Sequence, residues 1–206
     1  MDDKFLHKFY YWGPYVTKFK LDPAFCARIL EAGKHERESY NQRLAGKIQK
    51  QMKFDMKKNS WAIAELSQYV NAWYHGYYRW ADLQKNKNTP TSIKNLIFDS
   101  MWINYQGPHE HNPAHVHVNA DVSFVIWLSF PNAIKEEWKT DESNSCRCGC
   151  LSIYYGDARP FATAEHCIAP EENSIIMFPG WVRHAVMPFK SQCERISLAA
   201  NVMFEW

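Results

Sequence analysis

Two histidines one residue apart, His115-Val116-His117, are the sharpest chemical feature of this 206-residue chain, with a spacing that suits a metal ion. On a β-strand the side chains alternate faces, so residues two apart point the same way, with Cα atoms about 6–7 Å apart. Two imidazoles at that spacing can converge on one ion through nitrogens about 2.1 Å from it. A third ligand must come from elsewhere. The candidate is His184, which follows Phe178-Pro179-Gly180 at the expected start of another strand. Further on, Arg195 and Ser197 alternate onto one strand face. An Arg fork can hold a carboxylate by two parallel hydrogen bonds, and a Ser hydroxyl can add a third. The order H-x-H, long gap, His, short gap, R-x-S therefore points to a metal ion beside a carboxylate site. His109 and His111, in the same histidine-dense stretch, read as loop residues.

The elements that must position these groups differ between the two halves of the chain. Asp22-Pro23 is a helix N-cap followed by Pro at the first helical position, with Phe25, Cys26, Ile29 and Leu30 at helical spacing and Gly33 as a stop. A polar segment over Glu36 to Met52 reads as a second helix, interrupted by Leu44-Ala45-Gly46. After Asn59-Ser60, Ile63, Leu66, Val70, Trp73, Tyr77 and Trp80 form one apolar stripe on a long helix suited to packing on a sheet. Lys85 to Thr91 reads as a loop. Strand patterns then recur at Leu96–Tyr105, His115–Val118, Ser123–Phe130, Cys150–Tyr155, Ser174–Phe178, His184–Met187 and Arg195–Met203, with a surface insertion at Glu136 to Ser145. The expected fold is mainly β with N-terminal helices. It is a single domain over 1–206, in which a helical support region (1–95) buttresses a jelly-roll core (96–206).

Composition narrows the function. Hydrophobic residues make up 46% and charged residues 22%, ordinary values for a globular chain. A net charge of +2 gives no electrostatic case for nucleic acid or an acidic membrane as partner. Aromatic residues reach 16%, enough to fill a core and line a pocket, with Trp102, Trp127 and Trp181 as candidates for the lining. No apolar run is long enough to cross a membrane, and Met1 to Phe5 lacks the pattern of a leader. A reducing cytoplasm is therefore expected, with the six Cys, including Cys146, Cys148 and Cys150, as thiols.

The order of parts resembles the Fe(II)- and 2-oxoglutarate-dependent dioxygenases. It is most similar to the oxygenases common in marine and T4-like bacteriophages, related to the prolyl-hydroxylase branch. Carrying the likeness are Trp102-Ile103-Asn104-Tyr105, Asn112-Pro113-Ala114-His115-Val116-His117, and Val122 to Leu128. Ile176 to Pro179 with Trp181 and His184, Val186 to Phe189, and Glu194 to Leu198 with Asn201 complete it. Leu44-Ala45-Gly46 also resembles that group. The resemblance implies a double-stranded β-helix in which His115 and His184 bind iron. Arg195, assisted by Ser197, would take the distal carboxylate of 2-oxoglutarate, with Asn104 also near the co-substrate. The wider family places a carboxylate two residues after the first His. Here that position is His117, and Asp121 is the fallback ligand. The implied reaction consumes O2 and 2-oxoglutarate, releases succinate and CO2, and hydroxylates a C–H bond of a small-molecule or peptide substrate. Tyr154 and Tyr155 are candidates to approach the co-substrate. A virus-encoded enzyme acting in the host cytoplasm fits the phage likeness.

Two other readings use the same residues differently. A cupin-type three-His dioxygenase would work without 2-oxoglutarate, and Arg195 separates the two, because only the first reading needs it to face the metal cavity. A non-catalytic module would hold Zn(II) through Cys146, Cys148, Cys150 and Cys167 with His166, although C-x-C-x-C departs from the usual zinc-ligand spacing.

Overall fold

The computed structural model describes residues 13–43, 46–83, 92–140 and 146–206. In chain order the elements are β1 (Thr17–Lys20), α1 (Pro23–Lys34), β2 (Lys50–Lys53), α2 (Ser60–Leu83), β3 (Asn95–Gln106), β4 (Asn112–His115) and β5 (Val122–Ser129). There follow α3 (Asn132–Glu137), β6 (Leu151–Tyr154), β7 (Glu165–Ile168), β8 (Ser174–Pro179), β9 (Arg183–Val186) and β10 (Arg195–Glu205). The strands form two antiparallel sheets, a large one in the order β1-β8-β5-β10-β3-β2 and a small one in the order β4-β9-β6-β7. This is the expected mainly-β jelly roll, or double-stranded β-helix, with helices against one sheet.

Both faces of the large sheet are buried, and strand alternation sorts its residues. Met101, Ile103, Phe124, Ile126, Leu198 and Val202 face outward onto the helices. There they meet Cys26 and Ile29 of α1 and Leu66, Val70 and Trp73 of α2, the stripe the sequence periodicity marks. The intervening residues Trp102, Val125, Trp127, Ile176, Phe178 and Ala199 face inward against Leu151 and Ile153 of the small sheet. At α1 the Asp22 carboxylate accepts a hydrogen bond from Ala24 N at 2.8 Å, and Pro23 opens the helix.

Three expectations change. The segment Glu36 to Met52 is not a helix. It holds a short 3-10 turn at Asn41–Arg43 and then β2, which pairs with β3. The cause is that Gln51 and Met52 complete a sheet ladder, while the buried Glu36 carboxylate accepts hydrogen bonds from Asp55 N (3.1 Å) and Asn59 Nδ2 (2.9 Å). The strand expected at His115–Val118 lies earlier, at Asn112–His115. Cys146 and Cys167 are joined in a disulfide rather than standing as thiols, tying the approach to β6 onto β7. The loop expected at Lys85 to Thr91, Leu44-Ala45, and residues 141–145 of the expected insertion lie outside the described residues. Among the described residues no helix is long and apolar enough to cross a membrane.

The turn from β8 into β9 locks onto the chain entering β5. Gly180 N donates to Asp121 O at 3.1 Å, and Gly180 O accepts from His117 N at 2.9 Å. A Cβ at Gly180 would collide with the Ala120 carbonyl. Gly180→Ala is therefore expected to push this turn away from His117 and to cost about 1–3 kcal/mol. Urea unfolding measures the loss, and an unchanged midpoint would show that the close approach has no energetic weight.

Candidate metal centre

The three histidines meet where the small sheet faces the large one. β4 pairs with β9 so that His115 lies opposite His184. His117 follows two residues later, outside the strand, with its backbone fixed by Gly180 O. The ring centroids of His115 and His184 are 4.3 Å apart, and His117 lies 5.1 Å from each. One nitrogen from each ring can be chosen so that all three lie within 4.8 Å of one another. Among the described residues this is the only group of side chains with metal-ligand geometry.

Hydrogen bonds orient two of the rings. His115 Nδ1 donates to Pro113 O (2.7 Å) and His184 Nδ1 donates to Val182 O (2.9 Å), which leaves Nε2 with its lone pair in both. On the third ring, His117 Nδ1 lies 3.4 Å from the Asn201 carboxamide, which is bound to Ser123 Oγ at 2.8 Å. All three imidazoles are held below their ordinary range, His117 at about 4 and His184 at about 3. Burial is the main cause, because it disfavours the charged form, and the mutual repulsion of the rings adds to it for His117 and His184. At neutral pH the cluster therefore presents three uncharged imidazoles, the protonation state a metal requires.

The same cavity contains Arg195. It is walled by Trp102, Val125, Phe178 and Leu151, with Asn104 and Ser197 opposite each other on β3 and β10. Arg195 is 1% exposed. Its Nη1 donates to Gln106 Oε1 at 3.0 Å, while Nε and Nη2 have no partner in the protein. Burial pulls this guanidinium down to about 10, which leaves it charged at neutral pH. Among the described residues it is the only charged side chain lining the cavity, and no carboxylate faces it there. A buried cation with two orphaned donors is costly unless an anion completes it. A dianionic keto-acid would suit this donor set, because it brings the negative charge that the guanidinium lacks.

Asp121 is not among the converging groups, because its Oδ2 accepts from Phe204 N at 2.7 Å. Asn104 lines the cavity and sits 2.7 Å from the Gln51 carboxamide, which also accepts from Trp102 Nε1 at 3.1 Å. Of the three tryptophans only Trp102 lines the cavity, since Trp127 is sealed behind it and Trp181 is 57% exposed. Tyr154 sits under Arg183, and Tyr155 packs on Trp181, both away from the cavity. The zinc reading does not hold. Cys146 and Cys167 are bonded to each other, His166 is exposed, and Cys150 is a buried thiol pushed up to about 12 by burial. The cupin reading without 2-oxoglutarate is disfavoured by Arg195, which faces the metal cavity. Sequence reasoning overlooked Gln106, and Asn112 entered it only through the family likeness. The signal was available in β3, where Ser100, Asn104 and Gln106 share one face of the strand with Trp102 and are buried polar residues.

Comparisons with known proteins agree with this geometry. Residues 100–201 match the family model described as "Putative 2OG-Fe(II) oxygenase". No curated protein gives a match. Among solved structures, a Pseudomonas putida prolyl-4-hydroxylase is similar at TM-score 0.56 and 13% identity, covering 94% of both chains. A viral collagen prolyl hydroxylase from Paramecium Bursaria Chlorella virus-1, solved with 2OG, is similar at TM-score 0.54 and 14% identity, covering 92% of this chain and 96% of that one. HygX from Streptomyces hygroscopicus, solved with nickel and 2-oxoglutarate, is similar at TM-score 0.53 and 8% identity, covering 92% and 82%. At these identities the structures speak for the fold, and the family match over the strands that carry the cavity speaks for the chemistry. The chain belongs to the 2-oxoglutarate- and Fe(II)-dependent oxygenases and is an enzyme of that family, with iron and 2-oxoglutarate as its cofactors.

Proposed function

We propose that residues 1–206 act as one oxygenase domain in which His115, His117 and His184 bind Fe(II). Arg195 takes the distal carboxylate of 2-oxoglutarate, with Ser197 and Asn104 beside it. When bound, the iron would activate O2, with 2-oxoglutarate giving up two electrons as it becomes succinate and CO2 and the second oxygen atom entering a substrate C–H bond. The observation that carries this reading is the buried, uncompensated guanidinium in one cavity with three converging neutral imidazoles.

The chain's own residues do the positioning. The hydrogen bonds from His115 to Pro113 O and from His184 to Val182 O hold ring orientation, so metal binding requires little reordering. The Arg195 fork would hold one end of the keto-acid in the cavity that the imidazoles also line. Trp102, Val125, Leu151 and Phe178 keep the enclosed charges dry. His184 is 4% exposed, whereas His115 and His117 are partly open to solvent beside exposed Val116 and Val118. Substrate and O2 therefore approach from the His115 and His117 side. A small molecule or a peptide segment is the substrate in this reading, and two of the similar structures are prolyl hydroxylases.

Three outcomes are expected. Anaerobic addition of 2-oxoglutarate to the Fe(II)-loaded protein produces a visible charge-transfer band, and its absence with intact folding would overturn the reading. Arg195→Lys keeps the charge but loses the fork, and raises the 2-oxoglutarate Kd about ten-fold or more, as titration of the same band measures. Asp121→Asn still accepts from Phe204 N and leaves metal affinity unchanged, whereas His117→Ala lowers it at least about a hundred-fold. Equilibrium dialysis with Mn(II) compares the two, and a loss in Asp121→Asn matching that in His117→Ala would return Asp121 to the ligand set.

A further inference from the structure

Gln106, the last residue of β3, is fully buried and pairs in register with Arg195, the first residue of β10. Its carboxamide has a fixed orientation. The amide nitrogen donates to Glu110 O at 2.7 Å and to Met187 O at 3.3 Å, so its oxygen must face Arg195 Nη1, 3.0 Å away. Turning the amide over would set its oxygen against two carbonyl oxygens and its NH2 against a guanidinium. The nearby carboxylate of Glu110 is buried but engaged elsewhere. One oxygen accepts from Gln49 N at 2.9 Å and the other from Gly107 N at 2.8 Å. The tight turn carrying it, with His109 at φ 61° and His109 N bound to Phe189 O, brings the Glu110 carbonyl onto Gln106.

We propose that Gln106 is a positioning residue for co-substrate recognition. It grips Nη1 so that the Nε and Nη2 edge of Arg195 faces the cavity, and because it is a neutral amide it leaves the guanidinium charge available to the incoming carboxylate. The proposal rests on the reading of Arg195 as the 2-oxoglutarate anchor and adds a requirement to it. A carboxylate at position 106 would form the fork-to-carboxylate pair internally and compete with the co-substrate. An apolar side chain of the same length would leave the guanidinium free to rotate away from the cavity. Each change acts on the keto-acid and not on the imidazoles.

The test measures two affinities on each variant of the full chain: Mn(II) by equilibrium dialysis, and 2-oxoglutarate by calorimetry on the Mn(II)-loaded protein. Gln106→Glu is expected to weaken 2-oxoglutarate binding at least ten-fold, and Gln106→Met several-fold, with Mn(II) affinity unchanged in both. Folded variants that bind 2-oxoglutarate like the unaltered chain would overturn the proposal, as would variants that lose Mn(II) and 2-oxoglutarate in parallel. If the unaltered chain binds Mn(II) but not 2-oxoglutarate, or if Arg195→Lys leaves 2-oxoglutarate binding intact, the reading of Arg195 fails instead. Should either variant fail to fold, nitrogen-15 NMR of the unaltered protein decides. Arg195 side-chain signals, identified by their loss in Arg195→Lys, should be resolved and slowly rotating before 2-oxoglutarate is added, and the Nε signal should shift on addition. Signals averaged by rotation until 2-oxoglutarate arrives would show that Gln106 does not hold the fork.

Discussion

A positive charge buried without a negative partner is the constraint around which this protein is arranged. Removing a guanidinium from water costs several kcal/mol even after relaxation. The protein offsets part of that cost with one amide oxygen and leaves two buried donors without a partner. Every other polar group lining the cavity is uncharged, including the three imidazoles, whose protonation burial suppresses. The pocket is thus short of negative charge by construction. A ligand that brings two carboxylates to this guanidinium and to a divalent ion supplies what the fold withholds.

The two-sheet architecture makes such an interior affordable. Outward-facing residues of the large sheet pack on α1 and α2 and make a core that owes nothing to the cavity. Inward-facing residues on the same strands are then free to be Asn104, Gln106, Ser123, Arg195 and Ser197. β10 shows the division most clearly. Leu198, Ala200 and Val202 belong to the helix-side core, while Arg195 and Ser197 line the cavity. The family likeness over residues 100–201 covers these strands rather than the helices that support them.

What the sequence made legible follows the same physical line. The interior strands β5 and β8 are nearly continuous apolar runs, and β3 and β10 carry enough apolar residues to stand out by hydrophobicity as well. The strands misread or overlooked lie at sheet edges. β1 (TKFK), β2 (KQMK) and β7 (EHCI) were not recognised, and β4 (NPAH) was placed too far along the chain. Edge strands carry Lys, polar residues and Pro to discourage pairing with other chains, and this erases the pattern that reveals a strand. The histidines and Arg195 were legible because residue type and order limit what they can do. Gln106 was not, because a lone amide acquires its role only from the neighbours that folding brings to it.

The pairing of β4 with β9 has a bearing beyond catalysis. β4 is four residues long, lies at the rim of its sheet, and ends where His115 stands opposite His184. Coordination by both rings, as proposed above, would staple a short rim strand to its one laddered neighbour and would link local fraying there to free iron concentration. A hundred-fold excess of free ion over the dissociation constant adds about 2.7 kcal/mol against opening. In iron-starved surroundings this corner would be the first to come loose and to admit a protease, while the helix-backed sheet behind it stayed closed.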